Sequence, residues 1–151
     1  MSMFKVFDIS GSAVSAQSQR LNVVASNLAN VDTVAGPDGQ AYKARQVVFQ
    51  TVFMAASGQV AGEDAANPAN PVTASAGVKV SSIREDATPA RRVHDPAHPQ
   101  ADAQGYVTYS NVNAVEEMVN MISSSRSYQN NLEVMNTAKS LLLKTLQMGQ
   151  G

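Results

Sequence analysis

The side chains best suited to chemistry lie in one short run, His94-Asp95-Pro96-Ala97-His98-Pro99. Two imidazoles four positions apart, with a carboxylate beside them, are donors of the kind that hold zinc. That spacing aligns both rings only on a helix, and Pro96 and Pro99 forbid one here. These are the only 2 histidines, and with 0 cysteines there is no thiolate to complete a ligand set, attack a substrate or form a disulfide. The run therefore reads as a rigid turn in which Asp95 accepts hydrogen bonds from the backbone that follows. Glu116-Glu117 is the other possible acid–base pair, but neighbours on a helix point about 100° apart. Their charge suits the positive end of a helix better. No phosphate-cradling glycine loop and no G-x-S-x-G nucleophile turn is present. The expectation is a non-enzyme with no metal and no cofactor.

Amides suggest a different role. Ser125-Arg126-Ser127-Tyr128-Gln129-Asn130-Asn131 is a polar stretch inside an otherwise apolar helical pattern, without Glu or Lys to solvate it. Asn27 and Asn30 stand in a comparable setting near the N-terminus. Polar groups between helices fix register at some cost in stability. Asn27, Asn30 and Arg126 are therefore expected at an interface.

Proline decides which elements can present these groups. All 6 prolines lie between Pro37 and Pro99, so both ends are free to form long helices. In the arm 1–35, Phe7, Val14, Leu21 and Leu28 recur every seven residues, with Val24 and Val31 interleaved on the same stripe. From Ser12 to Val31 the only charge is Arg20, so this helix is expected to pack on several sides. The arm 112–151 carries Met118, Met121, Ser125, Tyr128, Leu132, Met135, Lys139, Leu142 and Leu146 at 3-4 spacing. Val115, Val119, Ile122 and Leu143 widen that stripe enough for more than one partner helix. Asn113 is placed to cap the helix and Gly149 to stop it. The middle, 36–111, reads as β-rich, with strands at Tyr42–Thr51, Val78–Arg84, Arg91–His94 and Gly105–Tyr109, and a mobile loop at 55–77. The fold class is mainly α with a β-rich insertion, the terminal helices pairing as a coiled-coil-like core and the middle forming an outer domain.

Composition removes several functions. Charged residues make up 15% of the chain and the net charge is -1, which leaves no electrostatic footprint for nucleic acid or an anionic membrane. No apolar run approaches the roughly 20 residues of a membrane span, and no apolar signal core opens the chain.

Leu21-Asn22-Val23-Val24-Ala25-Ser26-Asn27-Leu28-Ala29-Asn30-Val31 resembles the N-terminal signature of bacterial flagellar rod and hook axial proteins. The His94–Pro99 run, Gly105-Tyr106-Val107, Asn111-Val112-Asn113 and the segment from Glu116 to Asn131 resemble the proximal-rod type within that family. Ser110 departs from the family pattern, which places Pro there. The resemblance implies a structural subunit of the basal-body rod that assembles helically and passes motor torque to the hook across the periplasmic space. It implies export by the flagellar type III apparatus without a cleaved signal. It also implies contact with its own copies, other rod proteins and the basal-body protein FliE. Two other readings stand beside it. A coiled-coil adaptor outside the flagellum would carry more flanking Glu and Lys, and a metal-dependent hydrolase on His94 and His98 would retain zinc. The interface set expected for a rod subunit is Phe7, Val14, Leu21, Val24, Asn27, Leu28, Asn30, Val31, Met118, Met121, Arg126, Tyr128, Leu132, Met135, Leu142 and Leu146.

If the histidine run is a turn, replacing His94 and His98 together with Gln will leave assembly and swimming intact. Changes on a loop surface are usually within about 0.5 kcal/mol. Loss of motility in that variant, with export unaffected, would contradict the structural reading.

Overall fold

Both proline-free ends are helical. The computed structural model describes residues 3–54 and 75–149. Along the chain come α1 (Met3–Ala29), β1 (Arg45–Met54), β2 (Ser75–Glu85), β3 (Arg91–His94), β4 (Tyr106–Tyr109) and α2 (Ala114–Met148). The terminal helices pair, and the middle contains the strands. No helix among the described residues is long and apolar enough to cross a membrane.

α1 runs through Gly11, which costs about 1 kcal/mol relative to Ala. It stops at Ala29, where Asn30 N–H and Val31 N–H turn back onto the carbonyls of Asn27 and Leu28 at 3.0 and 3.4 Å. Val31 thus lies one turn beyond the helix whose stripe it was expected to extend. α2 starts as its sequence requires. The Asn113 carboxamide oxygen accepts Val115 N–H at 3.1 Å and Glu116 N–H at 3.5 Å, and Glu116 and Glu117 occupy the first turn. At its end Gly149 N–H closes onto Thr145 and Leu146 carbonyls at 3.1 and 3.2 Å. With 35 residues at about 1.5 Å each, α2 is roughly 50 Å long.

β1 is built of β-branched and aromatic residues and pairs with β2 in a two-stranded sheet. It begins at Arg45, not Tyr42, and just before it the Ala44 N–H is taken by the Asn111 side chain. β2 begins at Ser75, ahead of the expected Val78. Residues 75–77 of the expected loop 55–77 are therefore strand, and 55–74 lie outside the described residues.

β3 and β4 pair antiparallel, Arg91 opposite Tyr109 and His94 opposite Tyr106. Their loop is held by Asp102, whose carboxylate accepts Gln104 N–H and Tyr106 N–H, both at 2.9 Å, and the Arg92 guanidinium at 2.6 Å. Gly105 has φ +79°, and a Cβ there would meet His94 Nε2 at 3.2 Å and Pro96 at 3.3 Å, so the position requires glycine.

The chain forms two compact units, 1–19 with 49–81 and 124–151, and 20–48 with 82–123, so each unit takes part of both helical arms and of the middle. The second has an apolar core of Val24, Ala35, Ala44 and Val107. In the first, the buried hydrophobic residues among those described are Ala16 and Ala138. Among its described residues that unit buries few large apolar side chains fully.

The Asp102 carboxyl is held below its ordinary value of 3.8, chiefly by the Tyr106 backbone N–H and further by Gln104 and Arg92. A depressed folded value means the loop gains stability above pH 3.8 and loses it as pH falls through the lowered value. Carbon-13 titration of Asp102 should give a midpoint below 3.8, with the Tyr106 and Gln104 amide shifts moving in step. A midpoint at or above that value would refute the loop geometry.

Candidate assembly interface

Asn27 lies in the last turn of α1 and is 0% exposed. Its carboxamide matches a backbone peptide edge: Nδ2 donates to Arg45 O at 2.8 Å and Oδ1 accepts Arg45 N–H at 2.9 Å. The Tyr42 hydroxyl donates to the same Oδ1 at 3.0 Å. Burial pushes the Tyr42 phenol up, against the opposing effect of the Arg45 guanidinium nearby. Arg45 also lies over the Tyr42 ring at 5.7 Å and meets Glu85 at 3.7 Å.

A second asparagine holds the adjoining peptide. Asn111 Oδ1 accepts Ala44 N–H at 2.6 Å, and its Nδ2 donates to Thr88 O at 2.9 Å and Asp86 O at 3.4 Å. The two carboxamides take the place of a neighbouring strand at the start of β1. Between them they tie α1, β1, the loop after β2 and the segment leading into α2. Ser110 reinforces the junction, its hydroxyl donating to Val31 O at 2.8 Å and its N–H to Thr33 O at 3.2 Å. A proline at this position would supply neither donor.

The helices are unusual in what they turn inward. Buried and half-buried positions of α2 include Ala114, Glu117, Met121, Ser124, Tyr128, Asn131, Met135, Ala138 and Leu142 at strict 3-4 spacing. The expected stripe shares Met121, Tyr128, Met135 and Leu142 with this seam, but its alternate members Met118, Leu132, Lys139 and Leu146 are exposed. The seam instead takes the residue before the first three, Glu117, Asn131 and Ala138, and these are polar or small. On α1 the corresponding row holds Ser10, Gln17, Arg20, Val24 and Asn27, and Arg20 donates to Asn120 Oδ1 at 3.1 Å. The Oε2 of buried Glu117 and the Oε1 of Gln17 have no hydrogen-bond partner among the described residues.

Other large apolar residues face outward. In the second unit α2 exposes Val115, Met118, Val119 and Ile122, at 71, 52, 61 and 56%. In the first it exposes Leu132, Val134, Leu141, Leu143, Leu146 and Met148.

The residues expected at an interface therefore occupy different environments. Phe7, Val14, Leu21, Leu28, Asn30, Val31, Met121, Tyr128, Met135 and Leu142 are half-buried, and Val24 and Asn27 are buried. Met118, Arg126, Leu132 and Leu146 are exposed. The Asn27 amide is committed within the chain, and the Asn30 amide donates to Ser26 O on its own helix at 2.8 Å. Tyr42, Ser110 and Asn111 were not among the expected site residues, and only the pairing of distant segments brings them together. The histidine run forms a turn, with Asp95 Oδ1 accepting Ala97 N–H at 3.2 Å and His98 Nδ1 accepting Gln100 N–H at 3.1 Å. No group of three or more His, Cys, Asp or Glu among the described residues is arranged to hold a metal.

Two family profiles match the chain. The one described as "Flagella basal body rod protein" covers residues 7–37, and "Flagellar basal body rod FlgEFG protein C-terminal" covers 103–148. Proteins named "Flagellar basal-body rod protein FlgC" are similar over the full length. That of Salmonella typhimurium is 54% identical over 150 residues, spanning 99% of this chain and 100% of the relative. That of Yersinia enterocolitica is 55% identical over the same shares, and that of Buchnera aphidicola from Acyrthosiphon pisum is 43% identical over 152 residues.

Asn27→Ala removes every partner that Asn27 supplies to Arg45 and Tyr42. Each buried group left unsatisfied costs about 1–3 kcal/mol, so denaturant unfolding should show a loss of about 2 kcal/mol or more. Amide exchange at Arg45 should rise with it. Asn30→Ala, which loses only a bond within its own helix, should stay within about 0.5 kcal/mol of the parent. Equal effects from the two would remove the amide bracket as the organising contact.

Proposed function

The chain belongs to the family of flagellar basal-body rod proteins and is a structural subunit of the rod, and from that premise we propose how its surface is used. Subunits assemble helically in the proximal rod, within the periplasmic span of the basal body, and pass motor torque to the hook. Contacts form with further copies, with other rod proteins and with FliE, after delivery through the flagellar type III export apparatus. The chain acts without catalysis. Expected interface residues now found exposed, Met118, Arg126, Leu132 and Leu146, are the ones that meet neighbours. Those found half-buried support the helix pair from within.

The observation that carries this reading is the outer face of α2, where Val115, Met118, Val119, Ile122, Leu143 and Leu146 are each more than half exposed. Exposed apolar area is costly in water, at roughly 25 cal/mol per Å². A helix that turns its apolar side chains away from its own partner gains that energy only when another surface covers them. The first unit, which among its described residues buries few large apolar side chains fully, has the same need. A subunit incomplete by itself also stays easy to unfold for export.

Leu132→Asp separates folding from assembly. Leu132 is 37% exposed in the single chain, so solvent still reaches the new carboxylate and monomer unfolding should change by no more than about 1–2 kcal/mol. Within an assembled rod the same carboxylate would be buried without a partner, at a cost of several kcal/mol per copy. The variant should be made and exported but absent from purified basal bodies, leaving cells non-motile. Normal swimming with this variant would overturn the assignment of the outer face of α2.

A further inference from the structure

The second unit carries a cleft of about 470 Å³, within the usual range of ligand sites. Its walls include Ala41, Tyr42, Lys43, Arg45, Glu85 and Thr108. Residues 40–44 run without turn or helix straight into β1. The composition of Tyr42–Thr51 is that of a strand, yet pairing with β2 starts only at Arg45. The carboxamides of Asn27 and Asn111 stand in for a strand at Arg45 and Ala44, and reach no further back. Among the described residues, nothing pairs with the backbone N–H or C=O of Ala41, Tyr42 or Lys43, although Ala41 and Tyr42 are half-buried. A row of alternating donors and acceptors along a cleft is matched by another extended backbone.

Charge decides which kind. Each carboxylate at the cleft or next to its walls already has a donor. Glu85 meets Arg45, Asp38 accepts Gln40 N–H, and Asp86 accepts the N–H and hydroxyl of Thr88. Glu117, whose charge reaches Tyr42, does not line the cleft. The exposed Lys43 ammonium has no acceptor among the described residues. The charge left over on the cleft wall is therefore a cation.

We propose that this cleft binds an extended acidic peptide segment of another chain. The segment pairs with the backbone of 41–43 as an added strand and sets a carboxylate against Lys43. Binding lengthens β1 back towards Ala41, over residues whose composition already suits a strand. The outer face of α2 takes no part, so this contact is separate from the one assigned to that face.

The test titrates the full chain, labelled with nitrogen-15, with acetyl-Thr-Val-Asp-Val-Thr-amide. Its Asn counterpart and a form methylated at the backbone nitrogens serve as comparisons. The Asp peptide should shift the amide signals of Ala41, Tyr42 and Lys43. It should bind about fivefold more tightly than the Asn peptide, the worth of one exposed ion pair. The methylated form, unable to donate along its backbone, should not bind. In Lys43→Gln, an exposed substitution that leaves signals elsewhere unchanged, the Asp and Asn peptides should bind alike. Equal binding of those two peptides by the parent would overturn the role of Lys43, and binding of the methylated form would overturn strand pairing. Shifts confined to other residues, or no binding at millimolar peptide, would overturn the site itself. All of these outcomes leave the rod assignment standing.

Discussion

The architecture of the second unit depends on one side chain acting as a strand. The Asn27 carboxamide presents a donor and an acceptor at the spacing of a peptide edge, and Arg45 pairs with it through both its N–H and its carbonyl. A helix cannot join a β-ladder through its own backbone, because its N–H and C=O groups are already used along its axis. An asparagine near its end avoids that constraint. Asn111 does the same for Ala44 and for the loop after β2, so the beginning of β1 is fixed from two sides. Serine at position 110 adds two donors at the same junction, connecting the segment after α1 to the one that enters α2.

Hydrogen bonding at that junction complements the sparse apolar core. The buried hydrophobic residues of the second unit are three aliphatic or small side chains around Val107, and the larger apolar residues of α2 are elsewhere. Directional bonds therefore set the geometry, while the larger exposed apolar residues of α2 stay on its outer side. Such a division suits a structural subunit, whose own geometry must be rigid. It also explains the low charge of α1, whose carboxamides, hydroxyls and alanines allow close approach without repulsion.

The histidine turn fits the same economy of means. Asp95 and His98 each accept a backbone amide two residues ahead, and the His94 ring meets Tyr106 edge-on at 5.0 Å. Arg91 and Arg92 lie over Tyr109 and Tyr106 at 5.1 and 5.0 Å. Side chains that looked suited to metal chemistry in isolation are used to shape a hairpin of two four-residue strands.

The extents of the helices, the cap at Asn113, the stop at Gly149 and the strand Arg91–His94 were legible in the sequence, because proline placement, capping and spacing act over a few residues. So was the existence of apolar stripes on both arms. Which stripe faces inward was not. The sequence of α2 offers two seams one residue apart, and apolar content alone favours the one containing Met118, Leu132 and Leu146. Tertiary structure selected the seam in which Glu117, Ser124, Asn131 and Ala138 alternate with Met121, Tyr128, Met135 and Leu142, a choice set by packing against the rest of the fold and not by apolar content. The partners of Asn27 and Asn111 were hidden for a related reason. A carboxamide declares that it will bond but not to what, and residues 18 and 67 positions away become partners only once the chain has folded.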